Sequence, residues 1–202
     1  TEEEMFSNRE PTEKFKEFLA WLGDSVVLQG HKGFTGGLDV KYNSTGTNSV
    51  YTTFEGLQIM FHVSTMLPHS QHDSQQVEKK RHIGNDIVVI IFNESKEPYL
   101  PSTIKSEYNH VYAVIQPLDE KAPDGTTRYR LGVASKVGTP SFGPLLPHPA
   151  IFDKNEDFRN FLLAKLINAE RACLDAPSFL GKMKRTRKTM LEDIMKKHLK
   201  KK

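Results

Sequence analysis

The stretch Asp86–Phe92, DIVVIIF, constrains this chain more than any other. After its aspartate it is apolar without interruption and rich in β-branched residues, which in so short a run favours strand over helix. A strand of this kind has no wet face, so the rest of the fold must cover both of its sides. We read it as a central strand of a sheet flanked by helices, rather than as an exposed edge.

What precedes the strand is equally informative. VEKKRHI (residues 77–83) reads as a helix stopped by Gly84, with Asp73 as its N-cap and Gln76 completing a capping box. Asn85 then lies where the helix exits and the strand begins. Cations, an imidazole, a carboxamide and a carboxylate therefore meet between two rigid elements, a setting that can hold a working side chain closely. The plain alternative is a solvated helix end whose cations complement the C-terminal dipole.

The remaining elements fit around this unit. Phe15, Phe18, Leu19 and Leu22 recur at helical spacing from Thr12 to Gly23. A short strand is expected at Val26–Leu28, and two β-rich runs, Ser49–Phe54 and Leu57–Val63, flank Glu55-Gly56 as a hairpin. Further strands are expected at His110–Gln116 and Thr127–Ala134, and the proline-rich stretch Val137–Pro149 as loop. Asp153 and Glu156 give a start signal for a long helix with Phe158, Phe161, Leu162, Leu166 and Ala169 on one face. A basic amphipathic helix, about residues 177–202, carries Leu180, Met183, Leu191, Ile194 and Met195 and is expected to lie on the domain surface. The sum is one α/β domain over residues 1–202, with a mixed central sheet flanked by helices.

Charge narrows the function. The net charge of +3 hides an uneven distribution: Gly181–Lys202 holds ten Lys or Arg against two acids, and Thr1–Glu17 three bases against six acids. The body between is slightly acidic, which argues against a nucleic-acid partner, since phosphate contacts need bases spread over a docking face. No apolar run approaches the length of a membrane span. The lone Cys173 reads as a small core filler and points to a reducing, cytoplasmic setting. A chain that starts on Thr reads as a piece of a larger protein.

Three other chemistries are weaker. The loop Gly30–Asp39 has four glycines but lacks the lysine and Ser/Thr spacing of a phosphate loop. His62, His69, His72 and His82 cluster in sequence without the i,i+4 pair or the cysteines of a metal site. Ser64, His82 and Asp86 could be drawn as a hydrolytic triad, yet Ser64 has no G-x-S-x-G elbow.

Four blocks carry a more specific signal. FHVSTMLP (61–68), QQVEKKRHIGNDIV (75–88), PSFGPLLP (140–147) and FRNFLLAKLINAE (158–170), in this order, closely resemble the Rap GTPase-activating protein family over nearly the whole chain. The resemblance implies a core related to the G-domain fold. It also implies a catalytic "asparagine thumb", which maps onto Asn85, in place of an arginine finger.

Ras-class GTPases orient the attacking water with their own glutamine, whereas Rap proteins have threonine there, so the partner must supply a carboxamide. By the same carry-over His82 supports the thumb, while Lys80, Arg81, Asp86 and Arg185 contact the GTPase. The implied partner is a Rap-type GTPase with its GTP and Mg²⁺, and no cofactor or metal is expected on this chain. Activation of Rheb or Ral, and a non-catalytic GTPase-binding module, are the alternatives. A homodimer through regions outside the fragment, and membrane association of the full-length protein, are further expectations.

Overall fold

The structure is a computed structural model that describes residues 1–199, without the side chains of Lys182 and Leu199. Its elements run α1 (Glu2–Ser7), α2 (Glu13–Leu22), β1 (Asp24–Val27), β2 (Asn48–Phe54), β3 (Leu57–Phe61), α3 (Val77–Ile83), β4 (Val88–Phe92), β5 (Val111–Pro117), β6 (Arg128–Ser135), β7 (Ile151–Asp153), α4 (Glu156–Leu174) and α5 (Pro177–Leu199). The α/β architecture is the expected one. The sheet, however, comes in two parts: an antiparallel β1-β2-β3 unit and a mixed β4-β5-β6-β7 unit, in which only β4 and β5 run parallel.

Side-chain parity shows how the parts are layered. Val50, Phe61, Val88, Ile90, Phe92 and Ile115 point into a core shared with α2 and α4. Their neighbours Tyr51, Met60, Val89, Ile91 and Tyr112 point into a second core containing Phe6 of α1 and Ile83 of α3. Both sheets thus form one middle layer between two helical layers, the arrangement that a period of two imposes on strands covered on both sides. Aromatic rings fill the first core: Phe18 stacks on Phe92 at 5.1 Å and Trp21 on Phe158 at 5.2 Å between centroids. Burying each such ring stabilises the fold by about 2–3 kcal/mol.

Several expectations need correction. β4 is covered on both faces as its composition requires, but it is an edge strand of its sheet; β5 and β6 are the central ones. An apolar run reports the cover over a strand's faces and carries no information about its hydrogen-bonding edge. Helix α3 begins at Val77, not at Asp73. Gln76 occupies the cap position in a left-handed conformation and its buried side chain binds the Ser70 backbone, so there is no capping box. Asp73 still accepts from the Gln75 and Val77 amides. For α4 the cap is Asn155, which accepts from the Phe158 amide at 2.9 Å, and Asp153 belongs to β7.

Other local features have clear causes. Thr12 caps α2 as expected, through the Phe15 amide. Gly23 follows that helix in extended conformation, and glycine is needed there because a Cβ would sit 2.7 Å from the Tyr51 carbonyl. The helix α1, with a capping box on Thr1, and the short β7 carry too little periodic sequence to be foreseen. Cys173 is fully buried. α5 is not laid on the surface along its length: Ser178 and Phe179 anchor its start to His110, while Met190, Leu191, Ile194 and Met195 are all at least half exposed. Residues 200–202, which the sequence reading included in this helix, lie outside the described residues. No described helix is long and apolar enough to cross a membrane.

Candidate functional site

The junction between α3 and β4 is braced from several directions. Lys79 is 1% exposed and its Nζ donates to the Asn8 carbonyl at 2.9 Å. Burial, with Arg9 nearby, lowers its pKa. Lys80 pairs with Glu2 at 3.0 Å, and the other oxygen of Glu2 accepts from the Lys105 amide. α1 therefore straps the outer side of α3.

The chain then leaves the helix through a tight passage. The Gly84 amide donates to the Lys80 carbonyl at 2.7 Å, and a Cβ at residue 84 would lie 2.5 Å from that oxygen. Glycine is required here by close approach, since its φ of −68° is open to any residue.

Three of the four carbonyls from Ile83 to Asp86 are held by side chains from the segment entering β5. Asn109, wholly buried, donates through Nδ2 to the Ile83 carbonyl at 2.8 Å and to the Asp86 carbonyl at 2.6 Å. Ser106 Oγ donates to the Gly84 carbonyl. One carboxamide thus ties the last helical residue to the entry of the strand, and bridges the turn between them.

Asn85 stands at the tip of this turn and is exposed. Its Nδ2 donates to the Arg81 carbonyl at 2.7 Å. A carbonyl neighbour requires the NH₂ end, which fixes the amide orientation and turns Oδ1 outward. Oδ1 has no hydrogen-bond partner among the described residues, so the acceptor is presented to whatever approaches.

Next to Asn85 lies a histidine pair. His62, at the end of β3, is placed with Nδ1 2.9 Å from Asp86 Oδ2 and Nε2 2.9 Å from the Gly36 carbonyl. Acceptors on both ring nitrogens suit the doubly protonated imidazolium. Burial opposes that charge, but the hydrogen bond and negative charge of Asp86, together with the Gly36 carbonyl, outweigh it and raise the pKa. His82 meets this ring edge to face at 5.4 Å. Burial, the charge of His62 and that of Arg81 lower its own pKa. His62 therefore holds its proton to higher pH than His82 does.

The structure brings His82, Asn85 and Asp86 together, and gives the other candidate residues distinct surroundings. Lys80 is engaged by Glu2, whereas Arg81 is exposed with a long 3.6 Å contact to Glu78. Arg185 lies on the exposed part of α5, and no hydrogen bond or ion pair among the described residues joins it to the junction. Sequence reasoning missed His62, Gly36, Ser106 and Asn109 as site residues. His62 could have been found, because it falls in the FHVSTMLP block; Asn109 carries no local signal and acts across 23 positions. The Gly30–Asp39 loop, read as a connector, delivers the Gly36 carbonyl in a left-handed turn at φ 60°.

The Rap/ran-GAP family model matches residues 5–188, and the chain belongs to that family. It is 51% identical over 98% of its length to a GTPase-activating protein of Dictyostelium discoideum, covering 19% of that protein. It is 47% identical over 96% of its length to the Mus musculus GTPase-activating Rap/Ran-GAP domain-like protein 3, covering 18%. To the Homo sapiens signal-induced proliferation-associated protein 1 it is 46% identical over 96%, covering 19%. Among solved structures, that of the TSC2 GAP domain matches with a TM-score of 0.75 and 32% identity, over 86% of this chain and 89% of that one. The chain spans about a fifth of the length of these curated relatives.

Proposed function

We propose that this domain stimulates GTP hydrolysis by a Rap-type small GTPase and takes part in signal transduction, with Asn85 inserted in trans to position the attacking water. The observation that supports this most is the presentation of Asn85: its amide is tied to the Arg81 carbonyl and its acceptor oxygen faces outward. Phosphoryl transfer asks a protein mainly for positioning and for stabilisation of charge. A carboxamide oxygen can accept a hydrogen bond from the water without taking its proton, and a side chain already tied down by one end loses little entropy on engaging it. GTP and Mg²⁺ belong to the partner, whose active site this domain completes.

The magnitudes assign a share to the rest of the surface. Stimulation of about 10⁵-fold, the scale for Ras-class activators, corresponds to roughly 7 kcal/mol. A hydrogen bond to a charged group contributes about 1.5–3 kcal/mol. Exclusion of water and ordering of the GTPase switch segments must supply the remainder. Arg81 and Arg185, both exposed, are suited to docking, and Lys80 to bracing the helix through Glu2. His82 and Asp86, which meet at His62, back the turn that carries Asn85.

The test is phosphate release from GTP-loaded Rap, with Rheb and Ral run alongside. Asn85→Ala should lower the stimulated rate by about 10²-fold, the upper end of what one such hydrogen bond contributes, while binding to the GTPase changes by only a few-fold. Stimulation retained near the parent rate would refute the thumb. Binding without stimulation by the parent chain would identify a non-catalytic module.

A further inference from the structure

The residues Ser106 to His110, just ahead of β5, are shared between the Asn85 turn and the root of α5. Ser106 and Asn109 hold the carbonyls of the turn. The next residue, His110, is 3% exposed and holds α5. Its Nδ1 lies 2.7 Å from the Tyr108 carbonyl, which can only accept; in the neutral ring Nδ1 therefore carries the proton, and Nε2 accepts from the Ser178 hydroxyl at 2.6 Å. The same ring lies 4.6 Å from that of Phe179. Phe179 in turn packs on the small buried cluster of Val111, Ala169 and Cys173, against which Ile87 and Val88, the residues following Asp86, also pack.

The shared segment has little slack. Ser106 Oγ donates to the Gly84 carbonyl and accepts from the Tyr108 and Asn109 amides at 2.9 and 3.1 Å, which uses its one donor and both its lone pairs. The Ser106 carbonyl accepts from Lys136 Nζ. The His110 amide donates to the Ile87 carbonyl at 2.8 Å, and its carbonyl accepts from the Lys136 amide at 2.8 Å. A displacement of His110 is thus passed to Asn109 and Ile87 instead of being absorbed between them. α5 lacks comparable bracing further out: past Phe179, the bond from Thr189 to the Arg185 carbonyl and the Lys188–Glu192 pair are internal to the helix. Arg185 lies seven residues beyond Ser178, about 10 Å along the axis, so a tilt of about 10° at the root moves it by about 2 Å.

We infer that His110 is a positioning residue for the stimulated reaction: through Ser178 it sets the direction in which α5 leaves the domain, and through the backbone it shares with Asn109 it ties that direction to the turn carrying Asn85. The docking helix and the lent carboxamide are then held in one fixed relation, and a GTPase that engages both meets them already aligned. This rests on the reading of Asn85 as the group lent to a GTPase. It assigns His110 and Ser178 no contact with the partner, and so predicts a kinetic signature unlike that of either end: loss of Asn85 falls on kcat and loss of Arg185 on KM, whereas loosening the link between them falls on both.

Single-turnover phosphate release from GTP-loaded Rap, over a range of domain concentrations, tests this together with amide hydrogen exchange on the domain alone. Ser178→Ala cuts the link at an exposed residue and leaves the clamp in place. It should lower kcat by about 3- to 10-fold and raise KM by a similar factor. The Asn85 and Asp86 amides, which donate to the His82 and Ile83 carbonyls, should exchange several-fold faster. His110→Ala should do more, about 10-fold or above in kcat, and His110→Gln, whose carboxamide can stand in for Nε2, should recover most of the loss. In an Arg185→Ala background Ser178→Ala should still lower kcat but no longer raise KM. A role confined to stability would lower the unfolding midpoint and leave kcat, KM and the two amides at their parent values. That result for Ser178→Ala, in a domain that Asn85→Ala still disables, would overturn the inference alone. A parent domain that fails to stimulate, or an Asn85→Ala variant that stays active, would overturn the reading of Asn85 and this inference with it.

Discussion

The α3–β4 turn and helix α5 carry the two groups of residues that the family resemblance singled out, and they are built in opposite ways. At the turn, three carbonyls in four residues are held by Asn109 and Ser106, and the helix before it is strapped by Lys79 and Lys80. In α5, anchoring contacts stop near Phe179 and the residues around Arg185 are exposed. The contrast separates two tasks. A group that must stand within a few tenths of an ångström of a reacting atom needs a backbone fixed from several directions, whereas a charge that steers or docks works at longer range.

If fixing the turn is what matters, Asn109 is the place to break it. Asn109→Ala removes both ties and leaves the Ile83 and Asp86 carbonyls without that donor, at a cost of about 1–3 kcal/mol in stability. The turn should relax by an ångström or so, which can lower catalysis by about 10²-fold with little change in GTPase affinity. Denaturant unfolding and single-turnover phosphate release measure the two effects. A variant destabilised by this amount yet fully active would show that the turn holds its shape without the clamp.

Gly84→Ala perturbs the same turn from the other side. The new methyl would lie 2.5 Å from the Lys80 carbonyl, so the helix end must open or residue 84 must shift. We expect a loss of about 1–3 kcal/mol, as for other overpacked sites, and a loss of stimulation of about 10-fold, smaller than for Asn109 because the clamp remains. A crystal structure of the variant with Asn85 unmoved would separate the close approach from the function.

These two residues also show what a sequence can and cannot disclose. Gly84 was legible as a helix stop, although its cause, a close approach to a carbonyl, required the coordinates. Thr12, the β2–β3 hairpin and the alternating apolar residues of the strands were legible because local chemistry alone dictates them. The edge position of β4 was not, since composition reports burial of faces and nothing about backbone pairing. Asn109 and His62 act through contacts with residues distant in sequence, and a polar residue's distant partner leaves no trace in its own neighbourhood. Asn85 was found through the resemblance, and local reading by itself would have left it as a solvated helix end.

A smaller effect is expected from the histidine pair, and it should appear as a pH dependence. His62 binds its proton more tightly in the folded protein than in the unfolded chain, whose ordinary value is 6.5. Its contribution is therefore fully present below about that pH and is lost as pH rises through the higher folded value. His82 has the opposite shift, so the stability it contributes is present above 6.5 and is lost as pH falls through its lowered value. NMR titration of the two rings should resolve this order. His62→Gln should abolish the alkaline loss and lower stimulation several-fold, because Asp86 would lose a charged partner. Titration of both histidines at their ordinary value would contradict the paired arrangement.

The smallest effect belongs to α5 and completes the comparison. Arg185→Ala removes an exposed charge that forms no ion pair among the described residues, so stability should change by no more than about 0.5 kcal/mol. If the helix serves docking, the loss appears in the association step: KM for the GTP-loaded GTPase should rise by about 3- to 10-fold at low salt, with kcat nearly unchanged. The difference from the parent should shrink as ionic strength rises and the Debye length falls below about 10 Å. An equal loss in kcat with KM constant would place Arg185 in the transition state instead, and α5 would then have to close over the partner's nucleotide alongside Asn85.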